Sequence, residues 1–454
     1  MEYWNKEIET INQKDLMELQ TKKLKNTLIY VYEKSRFYRR IMNDLDITPV
    51  DISSNPWKVF EKMPITTKED IIKNPSEFVA SRWRDVYDSS GSSGLPRKTI
   101  YKSSDDWEVA AELGARTFIM FGVDENNLVM SFMPYGKFAV SGFATKMGAD
   151  KANIPLISST SFIPDEAKIY DIIKYKPDAI VNFPTKHLFL GKLAQKMGID
   201  LEKICGGKPI KKLFMGGEPS NYKLKEELLE LWKAEDYGDI IGTTEVRGVN
   251  LAADCKEHVG MHVWEDHNLE IPMKINFRND GYEILNEPVN EGEFGADTYT
   301  TLLDSNENCA FPLVKYHHGD CYKILGRDCA CGRTHMIISY PQRIDKAIIE
   351  GGVKFFEDEI EAYLYSSPFN VYLGEWQMFF YKNPDGTYPK EILIENINNI
   401  QNTEEVCKGL KKYLFDVFLP LKDSQSLFPL EVKLVEKGSL DLGRGKPKRF
   451  VKKY

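Results

Sequence analysis

The run Ser89-Ser90-Gly91-Ser92-Ser93-Gly94-Leu95-Pro96-Arg97-Lys98-Thr99 concentrates small and hydroxyl residues beside two cations. Glycines let backbone N–H groups approach an anion closely, serine hydroxyls add donors, and Arg97 and Lys98 add positive charge. The run therefore predicts a polyphosphate cradle and ATP chemistry. Its spacing is not that of a Walker loop, because no Gly-Lys-Ser/Thr closes it. Standing alone, such a run also reads as a flexible connection. A second group of residues could hold a metal. Cys329 and Cys331 offer two thiolates, and Cys255 with His262 can complete a closed tetrahedral zinc (Zn2+) site, with His258 as the competing histidine. A fully protein-coordinated ion has no open position, so it is expected to be structural. Reduced thiols behaving as small hydrophobes are the plain alternative, and Cys309 and Cys321 are spare ligands.

The Ser/Gly run resembles the phosphate-binding loop of the adenylate-forming superfamily, which includes acyl-CoA ligases, luciferases and peptide-synthetase adenylation domains. Other stations follow in order. Gly216-Gly217-Glu218-Pro219 resembles the adenine-site segment, and Asp239-Ile240-Ile241-Gly242-Thr243-Thr244-Glu245 the second signature. Tyr316-His317-His318-Gly319-Asp320 resembles the Thr-Gly-Asp element, and Arg343 and Asp345 the ribose-phosphate arginine and the interdomain hinge. Gly438-Ser439-Leu440 and Gly445-Lys446-Pro447-Lys448-Arg449 resemble the closing element. The resemblance implies that Thr244 and Glu245 meet the α-phosphate and a magnesium ion (Mg2+), and that Lys446 is the catalytic lysine. It implies ATP/AMP contacts from Ser90, Gly91, Ser92, Ser93, Gly94, Arg97, Gly217, Glu218, Pro219, Asp239, Ile241, Asp320 and Arg343. The acid pocket would be lined by Tyr135, Phe138, Gly142, Phe143, Phe183, Gly216, Gly242 and Thr243.

Within the superfamily the phenylacetate-CoA ligase branch is the nearest likeness. Its marks here are Pro64-Ile65-Thr66-Thr67-Lys68-Glu69-Asp70, Cys329-Ala330-Cys331-Gly332-Arg333-Thr334, and Cys255 followed by Gly260 to Asp266. The sequence departs from the family pattern at several places. Ile241 stands where a tyrosine usually lies near the adenine. Gly351 replaces an arginine and Glu357 a proline after the hinge, and Asp441-Leu442-Gly443-Arg444 replaces Pro-Arg-Ser. These changes bear on the thioester step more than on adenylation.

The elements needed to position such a site are those of an α/β enzyme. Residues 16–38 and 224–232 carry apolar side chains at helical intervals, while 127–132 and 179–183 are short apolar runs of buried-strand type. Residues 295–314 predict β-ribbon and 376–381 a strand. The 454 residues exceed one typical core, so a large domain over 1–343 and a small α+β lid over 344–454 are expected. A net charge of −8 without a basic face argues against a nucleic-acid partner. No run of eighteen apolar residues occurs and the N-terminus lacks a signal peptide, so a soluble, cytoplasmic protein off the membrane is expected. The combined expectation is an ATP- and magnesium-dependent acid ligase making an acyl-adenylate and then the CoA thioester of an aromatic acid. The alternative acceptor is an amine or a carrier-protein thiol, a homodimer is left open, and a zinc-stabilised scaffold is the non-catalytic reading.

Overall fold

The computed structural model describes residues 2–88, 97–159, 163–218, 220, 222–278, 281–344, 347–350, 353–365, 367–369, 371, 375–418, 426–441 and 449–454. Ser90, Gly91, Ser92, Ser93, Gly94, Pro219, Asp345 and Lys446 lie outside the described residues.

A sheet of thirteen strands dominates the first three quarters of the chain. Five of its strands run parallel in the spatial order Leu156–Ser158, Val129–Ser131, Ala179–Asn182, Lys212–Gly216 and Asp236–Gly242. Ala179–Asn182 and Lys212–Gly216 are buried at every position, as strands covered on both faces must be. Helices Ser141–Lys151, Asp165–Tyr175, Pro184–Lys196 and Tyr222–Trp232 make the crossovers between them. The sheet then turns antiparallel through Asn250–Asp254 and Met261–Val263. In such a sheet the space beyond the carboxyl ends of the parallel strands is where a ligand fits.

Local sequence accounts for the helix starts. Thr67 accepts from Asp70 N while Asp70 accepts from Thr67 N, a capping box that gives the Pro64–Asp70 motif a structural task. Ser103 and Asp106 do the same for the helix Ser104–Met120. The helical stretch expected over 16–38 is interrupted at Ser35, whose side chain caps the next helix, so two helices form, Gln13–Lys34 and Arg36–Asp44. The ribbon expected over 295–314 is confined to Phe294–Ala296 and Tyr299–Thr301.

Beyond Arg343 the chain builds separate sheets. A hairpin pairs Ala347–Glu350 with Val353–Phe356, and a four-stranded sheet has the order Leu430–Val435, Lys390–Glu395, Trp376–Phe380, Phe450–Lys452. Helices Glu357–Tyr365 and Thr403–Val417 accompany them. One apolar cluster runs from Leu228 and Trp232 to Phe355, Ile360 and Leu364, so the C-terminal part packs on the Tyr222–Trp232 helix. Among the described residues no helix is long and apolar enough to cross a membrane.

Candidate active site

A cavity of about 1150 Å³ lies over the ends of the parallel strands. Phe183, Gly216 to Glu218, Asp239 to Glu245, Asp320 and Arg343 line it from the large sheet, and Glu357, Glu361, Ala362 and Tyr365 from the C-terminal part. The structure thus gathers on one space residues that are far apart in the sequence.

Glu245 follows the Asp236–Gly242 strand in a tight turn. Gly242 has to be glycine, because a Cβ would stand 2.5 Å from the Val249 carbonyl oxygen. From beneath, Lys102 Nζ donates to Val246 O at 2.6 Å and Arg247 O at 3.1 Å. Arg247 in turn reaches Asp106 and Glu307, each at 2.9 Å. Burial lowers Lys102 to about 8, with Asp106 pulling the other way. Glu245 is 3% exposed. Lys98 and Tyr316 reach its Oε1, and Thr243 donates to its Oε2. Burial by itself pushes this carboxyl up; Lys98, Thr243 and His318 outweigh it and hold it at about 2.

Asp320 is built into a second charged group. Arg343 Nη1 lies 3.2 Å from its Oδ1 and His318 Nδ1 3.3 Å from its Oδ2. His318 also meets Asp297 at 2.6 Å, and these two carboxylates hold the ring protonated against the effect of burial. Gly319, at φ +107°, leaves room for Arg343, whose Nη2 would stand 2.7 Å from a Cβ. Glu218 accepts from Thr185 N and Oγ1 at 3.2 and 2.6 Å, and burial with the nearby Glu361 raises its carboxyl. Asp239 is tied inward, accepting from Ser220 at 2.7 Å and pairing with the buried Lys225 at 2.8 Å.

Away from the cavity, Cys255, His262, Cys329 and Cys331 bring their ligand atoms within 4.8 Å of one another. Cys255 Sγ and Cys329 Sγ are 3.6 Å apart, close to the ~3.8 Å edge of a tetrahedron with ~2.3 Å zinc–sulfur bonds. The donor set therefore fits zinc. His258 is elsewhere, bridging Asp254 and Asp236 at 2.8 Å each, which occupies both of its ring nitrogens and leaves none for a metal.

Two known proteins are similar to this chain over most of its length. The chain is 27% identical over 372 residues to a phenylacetate-coenzyme A ligase of Thermus thermophilus (80% of this chain, 78% of that protein). It is 29% identical over 362 residues to the enzyme of that name from Escherichia coli K12 (78% and 77%). This chain is a relative of the phenylacetate-coenzyme A ligases. A solved 2-hydroxyisobutyryl-CoA ligase in the postadenylation state with 2-HIB-AMP matches with a TM-score of 0.79 at 18% identity, covering all 100% of this chain and 92% of that one. An anthranilate CoA ligase holding anthranoyl-AMP gives 0.54 at 15% identity, covering 82% and 67%. The fold of this phenylacetate-CoA ligase relative is therefore that of the adenylate-forming enzymes. No family model matches the chain.

Some expected pocket residues are placed elsewhere. Tyr135 is turned outward, 38% exposed, with its hydroxyl donating to Ser158 at 2.6 Å. Gly142 packs under the Pro134 carbonyl, and Phe143 lies edge-on to Trp107 at 4.5 Å. The turn at Gly136, φ +133°, reverses the chain between Tyr135 and Phe138, so Phe138 alone of these faces the cavity. Arg97 stacks on Phe138 at 4.3 Å and does not line the cavity. Ile241 does line it, and so does the ring of Tyr340. Sequence reading missed Tyr340 and the C-terminal Glu361 and Tyr365, whose approach depends on packing between distant elements. Lys102 also went unnoticed, because nothing local marks the last residue of Thr99–Lys102 as buried.

Proposed function

We propose that this chain is an AMP-forming ligase that activates a small aromatic carboxylic acid as its acyl-adenylate and then forms the CoA thioester. The observation that carries this reading is one cavity whose charged wall holds Thr244, Glu245, Asp320 and Arg343 while its other wall is apolar, with Phe118, Phe138, Val181, Phe183 and Phe214. The apolar wall suits an aryl ring, and the charged wall suits a nucleotide.

Attack of a carboxylate on the α-phosphate of ATP brings two anions together, so neutralising charge is the site's first task. Glu245, ionised and buried at the cavity wall, has the chemistry to hold magnesium, which supplies positive charge to the phosphates when bound. Thr244, beside Glu245, offers a hydroxyl donor to the α-phosphate. Asp320, fixed by Arg343 and His318, presents acceptors to ribose hydroxyls. Gly216 and Gly217 line the cavity, and Gly217, where a Cβ would stand 2.8 Å from the Phe183 ring, keeps that wall flat enough for a base. Residues 344–454 act as a lid in this reading, and Lys446 enters for adenylation and withdraws for thioester formation. Zinc at Cys255, His262, Cys329 and Cys331 is structural, pinning the Met261–Val263 strand to the segment before Arg343. The site of action is the cytoplasm.

Acid-dependent exchange of labelled pyrophosphate into ATP, across aryl and aliphatic acids and repeated with CoA under mass detection, tests this. Exchange with an aryl acid followed by a thioester mass supports the whole reading. Exchange without thioester moves the acceptor to an amine or a carrier thiol. Absence of both ATP binding and exchange refutes adenylation.

A further inference from the structure

The apolar side of the cavity carries two polar side chains that adenylation and thioester formation do not call for. Thr117, on the helix Ser104–Met120, and Asn250, the first residue of the strand Asn250–Asp254, both line the cavity. Asn250 pairs with Gly242 in the sheet, beside the turn that carries Thr244 and Glu245. Thr117 is 3% exposed and adjoins Phe118, whose ring meets that of Phe214 edge-on at 5.3 Å.

Their neighbours fix how the two side chains are oriented. Trp264 Nε1, on a fully buried ring, can only donate, so the Asn250 side-chain oxygen must face it, at 3.2 Å. The Asn250 amide nitrogen therefore turns to Thr117 Oγ1, at 2.6 Å, and gives it one of its two hydrogens. The Thr117 hydroxyl proton is already spent on Leu113 O at 2.7 Å, one helical turn back. One amide hydrogen on Asn250 and one lone pair on Thr117 remain, and among the described residues neither meets a further partner. An open donor beside an open acceptor is the complement of a hydroxyl, which accepts and donates at one oxygen. A bare ring against this pair would leave both unmet, at a cost in binding.

We propose that Thr117 and Asn250 read a hydroxyl on the ring of the acid, so that the substrate class is a hydroxyaryl carboxylic acid and not one with an unsubstituted ring. The inference rests on the adenylating reading of the site. The phenol oxygen accepts from Asn250 Nδ2 and donates to Thr117 Oγ1, the ring lies against Phe118 and Phe214, and the carboxylate is directed to the Thr244 turn. A purely apolar pocket discriminates weakly for or against an added hydroxyl, whereas placed partners select for it.

The test is pyrophosphate exchange by the full-length protein with benzoic and phenylacetic acids and their ortho, meta and para hydroxyl and fluoro derivatives. Wild type should favour one hydroxyl isomer over both its parent and its fluoro analogue by about tenfold in kcat/KM, the size of one well-placed hydrogen bond. Asn250→Leu and Thr117→Val, which keep volume and remove the polar atoms, should each bring that ratio close to one. The ratio is taken within each variant, so a general loss of activity does not enter it. A pair that only clamps the helix to the strand would lower every acid by the same factor and leave the ratio standing, which overturns the inference. So does a wild type without preference or with a preference for the bare ring, and so does a ratio that collapses in Ser141→Ala, another hydroxyl on the same cavity, and not in these two variants. Asn250→Ala carries the same expectation should the leucine variant fail to fold. Wild type that exchanges with no acid of the series refutes the ligase reading itself, a result distinct from exchange without preference.

Discussion

Glu270 shows how a single buried group sets a pH response. It is 5% exposed, receives Tyr322 Oη at 2.6 Å, and is raised to about 8 by burial and by Asp297. The folded protein therefore keeps a proton that the unfolded chain releases near the ordinary carboxyl range, so stability falls as pH rises from about 4.5 to about 8. Glu270→Gln removes that titration, and its melting temperature between those pH values should fall less steeply than that of wild type. The cysteine cluster gives a second residue-scale expectation. Cys329→Ser should abolish stoichiometric zinc and lower the melting temperature, and chelation of wild type should reproduce the loss. Equal melting temperatures with and without zinc would contradict a structural ion. Cys329 and Cys331 were readable in the sequence because thiolate pairs carry their own chemistry, whereas the choice of His262 over His258 was not. That choice depends on Asp236, a residue twenty-two positions away that captures His258.

Between elements, the segment that departs from the family pattern has a structural use. Glu350, at the end of the Ala347–Glu350 strand, pairs with Lys390 of the four-stranded sheet; both side chains are at most 1% exposed. Tyr454 donates to the same carboxylate, and Lys390 donates to Tyr388 O at 2.7 Å. Lys390→Met leaves Glu350 charged and unpaired, which costs roughly 3–5 kcal/mol of stability. Denaturant unfolding should show this as a lower midpoint, and Lys390→Met combined with Glu350→Gln should recover part of it. No recovery would mean that the lysine stem's packing, not the ion pair, sustains the sheet. The buried parallel strands were legible because continuous apolar runs admit few other placements. The short antiparallel strands were not, since Phe294–Ala296 and Tyr299–Thr301 owe their pairing to partners far along the chain.

For the whole molecule the expectation concerns two half-reactions. Lys446→Ala should lower pyrophosphate exchange by about 10²–10³-fold while a supplied acyl-adenylate is still converted to thioester. Loss of both activities would assign Lys446 to folding or to the second step. The sequence by itself determined the class of chemistry: the order of short polar motifs, the thiolate pair and the apolar strand runs each carry their meaning locally. The tertiary structure decided which of those residues share a space. It took Tyr135 off the cavity wall and left Phe138 at its exposed rim, stacked Arg97 on an aromatic ring, set Lys98 against Glu245, and brought Glu361 and Tyr365 across to the strand ends. The physical reason is that spacing along the chain fixes what a residue can do, while packing of separate elements fixes what it can reach.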